Sequence, residues 1–213
     1  MSRRLTSRGR RRRQELLDYA AERFAAHGYH PTSVTDITEG LGVGKGVFYW
    51  YFESKEALFV QILVEAQRDL RRFQVQVLGD EPDPVRRIEQ GIRSTMIWLH
   101  DNRGLFSLLE FARTEDTFAP LIRQGEEYAI AYTLPHVKAA ITAGLVRKED
   151  PVVIAQAILG VTHQLARSLV LEEGRPPEEV ANAAVSFCLE GVLSPSALGS
   201  RRSRTSETRA TAS

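Results

Sequence analysis

Residues 24–58 read Phe24-Ala25-Ala26-His27-Gly28-Tyr29-His30-Pro31, then Thr32-Ser33-Val34-Thr35-Asp36-Ile37-Thr38-Glu39-Gly40-Leu41. They continue as Gly42-Val43-Gly44-Lys45-Gly46-Val47-Phe48-Tyr49-Trp50-Tyr51-Phe52-Glu53 and close with Ser54-Lys55-Glu56-Ala57-Leu58. Just upstream, Leu16, Leu17, Ala20, Ala21, Phe24 and Ala25 recur at three- and four-residue spacings from Gln14 to His27. That is one face of an amphipathic helix, and Gly28 ends it. Pro31 and the hydroxyls of Thr32 and Ser33 then offer an N-cap for a short second helix that buries Val34, Ile37 and Leu41. The turn Gly42-Val43-Gly44 leads into a short aromatic helix from Lys45 to Phe52, and Ser54 caps a long helix to about Leu78. A helix, a tight turn and a second short helix form the plan in which the second helix enters the DNA major groove.

The same spacing and punctuation predict helices through the rest of the chain. Pro84 opens one that runs to about His100, and Phe106, Leu109 and Ala112 mark a short one. A longer helix runs from Pro120 to about Ala143, where Pro135 is expected to kink or split it. Asp150-Pro151 starts a helix to about Leu171, and Glu178 begins the last, which runs to Leu193. No segment alternates like a strand. The fold class is therefore all-α: an N-terminal three-helix unit joined by a long helix to a C-terminal helical bundle, about nine helices in all. The expected division is a disordered basic leader over residues 1–13, a helix-turn-helix domain over 14–60, a second helical domain over 61–193 and a disordered tail over 194–213.

Charge is distributed accordingly. The 213 residues carry 28 basic and 27 acidic side chains, a formal net charge of +1, with 43% hydrophobic residues. Residues 1–52 hold nine basic against five acidic residues, residues 53–198 hold 15 against 21, and residues 199–213 hold four against one. A basic head on an acidic body suggests one part built for a polyanion and another for a different task. One cysteine, Cys188, can form neither an internal disulfide nor a CxxC metal site, which fits a reducing cytoplasm. No apolar run follows the Arg-rich start as in a secretion signal, and none reaches the roughly 20 residues of a bilayer span. The expected location is cytoplasmic, with no membrane partner.

The quoted run resembles the DNA-binding domain of the TetR family, the tetracycline-repressor-like bacterial regulators, over about residues 11 to 60. The turn, the aromatic cluster and the cap of the fourth helix all recur at matching spacing. The resemblance implies contacts to double-stranded operator DNA from Thr32, Lys45, Tyr49, Tyr51 and Lys55. Physical chemistry adds Ser33, at a helix N-terminus that attracts phosphate, Gly46, where the backbone can approach the duplex, and Val47, whose methyls suit a thymine methyl. Gly44 and Val47 stand where relatives usually carry hydroxyls. Phe48 and Phe52 read as anchors to the core, and Trp50 reads as packed inside. The Arg3 to Arg13 run is either a solvated leader or an arm that tracks phosphates.

For the second domain the resemblance implies a homodimer and a small-molecule effector that moves the DNA-binding heads. Apolar positions expected at the dimer interface are Ile154, Ile158, Val161, Leu165, Ala181, Ala184, Val185 and Cys188. Two recognition helices roughly 34 Å apart would then reach the half-sites of a palindrome. Polar residues among aromatics suggest an effector pocket built from Trp98, Phe106, Glu110, Arg113, Phe118, Tyr128, Tyr132, His136, His163 and Arg167. No cofactor and no metal site are expected. The expected function is a ligand-responsive repressor. The alternatives are an activator or architectural DNA-binder without an effector, or an all-α enzyme whose His136, His163 and Glu110 form an acid/base site.

Overall fold

The computed structural model describes residues 6–191. They form α1 (Ser7–His27), α2 (Val34–Gly40), α3 (Lys45–Tyr51), α4 (Lys55–Leu78), α5 (Pro84–Asp101), α6 (Arg103–Thr114), α7 (Ala119–Thr142), α8 (Pro151–Leu165) and α9 (Pro177–Glu190). A π-helical stretch, Ala166–Glu172, prolongs α8. No strand occurs among the described residues, and the all-α expectation holds. The tail over 194–213 lies outside the described residues.

Local chemistry explains most of the boundaries. Ser33 caps α2 in a capping box with Asp36, Ser54 caps α4, and the carboxylates of Asp83 and Asp150 cap α5 and α8 just before their first-position prolines. Gly42, at φ +63°, makes the tight turn out of α2, a backbone conformation that side chains with a Cβ resist. Two expectations are corrected. Helix α1 starts at Ser7 rather than Gln14, because Thr6 caps it and Glu15 pairs with Arg11 and Arg12, so residues 7–13 of the basic leader are helical. Helix α7 runs through Pro135 as one element, with the ring on an exposed face.

Two buried clusters form the interior. The upper one joins Leu16, Leu17, Phe24, Ile37, Phe48 and Phe52 of the three-helix head to Leu58, Phe59, Ile62 and Leu63 of α4. It is closed from below by Leu108 and Ala112 of α6 and by Phe118 and Ile122 at the start of α7. The lower cluster gathers Ile88, Ile92, Met96 and Leu99 of α5 around Phe106, Val137, Ala155, Val170, Val180, Ala181 and Ala184. Helix α4 contributes to both and so acts as the rod between them, a division at residue 60 falling within it. Gly104 of α6 comes so close to α1 that a Cβ there would stand 3.2 Å from that of Ala25, which seats the body directly under the head.

The α8 helix and its extension form a 22-residue apolar span, Pro151–Glu172, of mean hydropathy 1.2, long and apolar enough by composition to cross a membrane. This corrects the expectation that no stretch comes near that length. Only 17% of that window is buried within the chain. Arg103 of α6 donates to the carbonyls of Val170 (2.9 Å) and Leu171 (2.6 Å), satisfying acceptors that the widened turns leave open.

Candidate nucleic-acid interface and interior cavity

Seven residues of α3 must divide between core and solvent. At 100° per residue, Phe48 and Phe52 fall one turn apart and share a face, and both are buried. Tyr49 and Trp50 are then turned outward, 57% and 55% exposed, beside the exposed Lys45 and Gly46. A Cβ at Gly46 would meet open space, so nothing in the chain blocks close approach there. Val47 and Tyr51 are half-buried at the edge of this face. Trp50 was expected inside and is instead a surface residue, its ring edge-on to Tyr51 at 4.5 Å. The helical turn of α1 added by Arg8, Arg11 and Arg12 forms, with Glu15, Val47, Trp50 and Tyr51, the walls of a shallow groove in which three arginines face one carboxylate.

Three of the expected DNA-contact residues also hold partners inside the chain. Thr32 is buried and its Oγ1 donates to the Gly28 carbonyl at 2.8 Å. The backbone N–H and Oγ of Ser33 both donate to Asp36 Oδ2 at 2.7 Å, so the α2 N-terminus already holds an anion. Those bonds keep the Asp36 carboxyl below the usual carboxylate range. Lys55 Nζ donates to the carbonyls of Tyr29 (3.0 Å), Thr32 (3.0 Å) and His30 (3.4 Å), and lies 4.3 Å from the Tyr29 ring centroid. The Tyr29 hydroxyl in turn donates to Glu56 at 3.1 Å; burial, then that carboxylate, push its pKa far up, so the hydroxyl keeps its proton.

The ten residues expected to form one pocket fall into separate places. Phe118 belongs to the upper core, Tyr128 is exposed with Arg71 over its ring, and Trp98 is buried with its indole N–H donating to Asp69 at 3.0 Å. Glu110, Arg113, His163 and Arg167 form an ionic cluster with Glu126 between α6, α7 and α8. Phe106 lies beneath it, edge-on to His163. Arg113 Nη2 lies 3.1 Å from His163 Nδ1, a geometry in which the guanidinium donates to a neutral imidazole. Tyr132 and His136 instead line a cavity of about 70 Å³ between α4, α5, α7 and α8, with Gln74, Arg87, Thr95 and the apolar side chains of Leu78, Ile88, Ile92, Ile158 and Leu159. The acid/base grouping of His136 with His163 and Glu110 is not assembled: His163 faces Glu110 at 3.8 Å, whereas His136 stacks edge-on to Tyr132 in the cavity. Among the described residues no three His, Cys, Asp or Glu side chains gather where they could hold a metal.

Both histidines have pKa values below the ordinary 6.5, His163 through burial and then Arg113, His136 through burial and then Arg87. An unfolded chain takes up these protons near pH 6.5 and the folded one only at lower pH. In that window the unfolded state holds more protons, so acid favours unfolding. The urea midpoint is expected to fall as pH drops from about 6.5 toward 5, and the slope to flatten in a His136→Gln/His163→Gln double variant. An unchanged slope in that variant would assign the acid sensitivity elsewhere.

The expected dimer positions also separate. Ala181 and Ala184 face α5 in the chain's own core, because α9 packs that side inward. Ile154, Ile158, Val161, Leu165, Val185 and Cys188 are half-buried, and burial raises the Cys188 thiol. The outward apolar face is Val152, Val153, Ala157 and Gly160 of α8 with Ala183 and Phe187 of α9. Helical spacing from Ala181 and Ala184 picks out these outer residues only once their inner partner is known.

Comparison with known proteins places this geometry. Residues 16–62 match the family described as bacterial regulatory proteins, tetR family. The HTH-type transcriptional repressor DhaR of Mycobacterium sp. (strain GP1) is 30% identical over 175 residues, 78% of this chain and 85% of that protein. An HTH-type transcriptional regulator of Bacillus subtilis (strain 168), YdgC, is 23% identical over 194 residues, 89% of this chain and 96% of its own length. Among solved structures, AibR in complex with isovaleryl coenzyme A and operator DNA superposes with a TM-score of 0.68 at 22% identity, covering 84% of this chain and 98% of that one.

Proposed function

Since the chain belongs to the TetR family of DNA-binding transcriptional regulators, we propose that it is a homodimeric repressor that sets α3 of each subunit into one half-site of a palindromic operator and lets go when a small effector enters the body. The observation that carries the DNA reading is the exposure of Tyr49 and Trp50 on α3. Two large aromatic side chains kept in water, beside Lys45 and an open Gly46, form a surface suited to base edges and sugar. Arg8, Arg11 and Arg12 supply phosphate neutralisation along the adjoining groove.

The apolar outer face of α8 and α9 supports the homodimer reading. Phe187 at 48% and Val153 at 53% exposure, among small residues that let helices approach closely, suit packing against a second copy of the same face. The cavity supports the effector reading because α4 forms one of its walls and also carries Lys55 under the head. A ligand that prefers a shifted α4 changes the spacing of the two recognition helices, and it releases DNA by as much as it favours that state. AibR, described with both isovaleryl coenzyme A and operator DNA, supports reading effector and operator together.

Selection from random duplexes tests the proposal and should return a palindrome. Tyr49→Ala or Trp50→Ala should each weaken binding to it by about 2 kcal/mol, roughly 30-fold, while the free protein's stability changes by less than about 0.5 kcal/mol. Selection without enrichment, or both variants binding like the wild type, would overturn it. In sedimentation the wild type should run as a dimer and Phe187→Glu as a monomer, since the charge would be buried twice in a twofold interface.

A further inference from the structure

The cavity between α4, α5, α7 and α8 has one fixed charge. Of its lining residues only Arg87 is ionised at neutral pH, since burial and Arg87 itself hold His136 neutral, and no Asp or Glu reaches the wall. Most of the polar lining is already satisfied. The hydroxyls of Thr95, Thr133 and Thr162 each donate to a carbonyl one turn back in their own helices, and Gln74 donates to Thr95. The remaining polar groups of the lining are the Arg87 guanidinium, the His136 ring and the Tyr132 hydroxyl. Arg87 is meanwhile fixed in place, its Nη1 donating to the Glu81 carbonyl at 2.8 Å and the Gly79 carbonyl at 3.5 Å across the α4–α5 turn.

A guanidinium in a cavity wall that holds no acid favours a ligand that brings an anionic acceptor. Carboxylates match guanidinium donors in shape and charge, and a neutral imidazole or a phenol can give one further hydrogen bond. The remainder of the wall, Leu78, Ile88, Ile92, Ile158 and Leu159, is aliphatic. At about 70 Å³ the space is half that of a cavity that admits benzene, about 150 Å³, so it suits a tail of a few carbons.

Resting on the effector reading above, we infer that the cavity recognises a small aliphatic monocarboxylate, with the carboxylate at Arg87 and His136 and the tail among the aliphatic side chains of α5 and α8. A cation would meet Arg87 unshielded, and an alcohol of the same tail would leave the charge uncompensated.

Sodium pentanoate, 1-pentanol and pentylamine share a tail and differ in charge. With the full-length protein, pentanoate should raise the melting temperature and release a selected duplex at concentrations at least about tenfold below those pentanol needs. Pentylamine should do neither. Arg87→Gln should abolish the preference for pentanoate over pentanol, and Arg87→Lys should keep it. Because Arg87 also holds the α4–α5 turn, His136→Phe provides a second check outside that turn, and should reduce the preference several-fold. Equal responses to pentanoate and pentanol, no response to pentanoate, or an undiminished preference in both Arg87→Gln and His136→Phe would overturn the inference. Melting reports the cavity without DNA, and duplex binding by the ligand-free protein reports the head without the cavity, so failure of one reading is distinguishable from failure of the other.

Discussion

Phe59→Ala is expected to destabilise the protein by about 3–5 kcal/mol, lowering the melting temperature by roughly 10 °C, and to abolish operator binding at 37 °C. Phe59 is fully buried, and its ring packs on four others: Tyr29 (centroids 4.6 Å apart), Phe118 (4.8 Å), Phe24 (5.5 Å) and Phe111 (5.9 Å). These come from the α1–α2 loop, α1, α6 and the entry to α7. A cavity here would therefore take packing from the head, from the rod α4 and from the top of the body together, and no one of them can collapse into it without shifting another. Phe59→Leu keeps most of the volume and should cost less than about 1.5 kcal/mol. Chemical denaturation of both variants checks the ordering. Equal, small losses would mean that the head is held mainly by its own three helices.

That shared core marks where sequence reading stops. Apart from the start of α1, periodicity and punctuation suffice for the helices of the head: the spacing of Leu16, Leu17, Ala20 and Phe24, the stops at Gly28 and Gly42 and the caps Ser33 and Ser54 are all local signals. Which apolar face meets which partner is not local. Leu108 and Phe106 sit two positions apart on α6, yet one enters the upper cluster and the other the lower, because α6 passes between them. Phe118 suggests a pocket only while its neighbours in sequence stand in for its neighbours in space. Trp50 is a different case. Helical geometry already requires that with Phe48 and Phe52 inward, the residues between them turn outward, so its exposure was available from the spacing of the aromatics alone. Thr32 and Ser33 suggest phosphate contacts by residue type, and the same hydroxyls also find partners inside the chain.

Lys55→Met is expected to lower stability by about 2–3 kcal/mol while leaving the salt dependence of the remaining operator binding unchanged. A lysine at the first position of α4 opposes the positive end of the helix dipole, so something has to hold it there. The structure supplies it in the carbonyls of Tyr29, His30 and Thr32, which converge on Nζ, and in the face of the Tyr29 ring. Gly28, at φ +86°, turns the chain so that these carbonyls can converge. Lys55 in this arrangement ties the α1–α2 loop to α4, and with it the start of α2, whose partner helix α3 carries the exposed aromatics. Methionine keeps the stem and its packing but leaves three carbonyls without their shared donor. Were the ammonium instead chiefly a phosphate ligand, its loss would spare the free protein's melting temperature and reduce the slope of log K against log salt by about 0.9. Thermal melting of the free protein and a salt titration of the complex therefore separate the two roles, and a normal melting temperature with a reduced slope would assign Lys55 to phosphate.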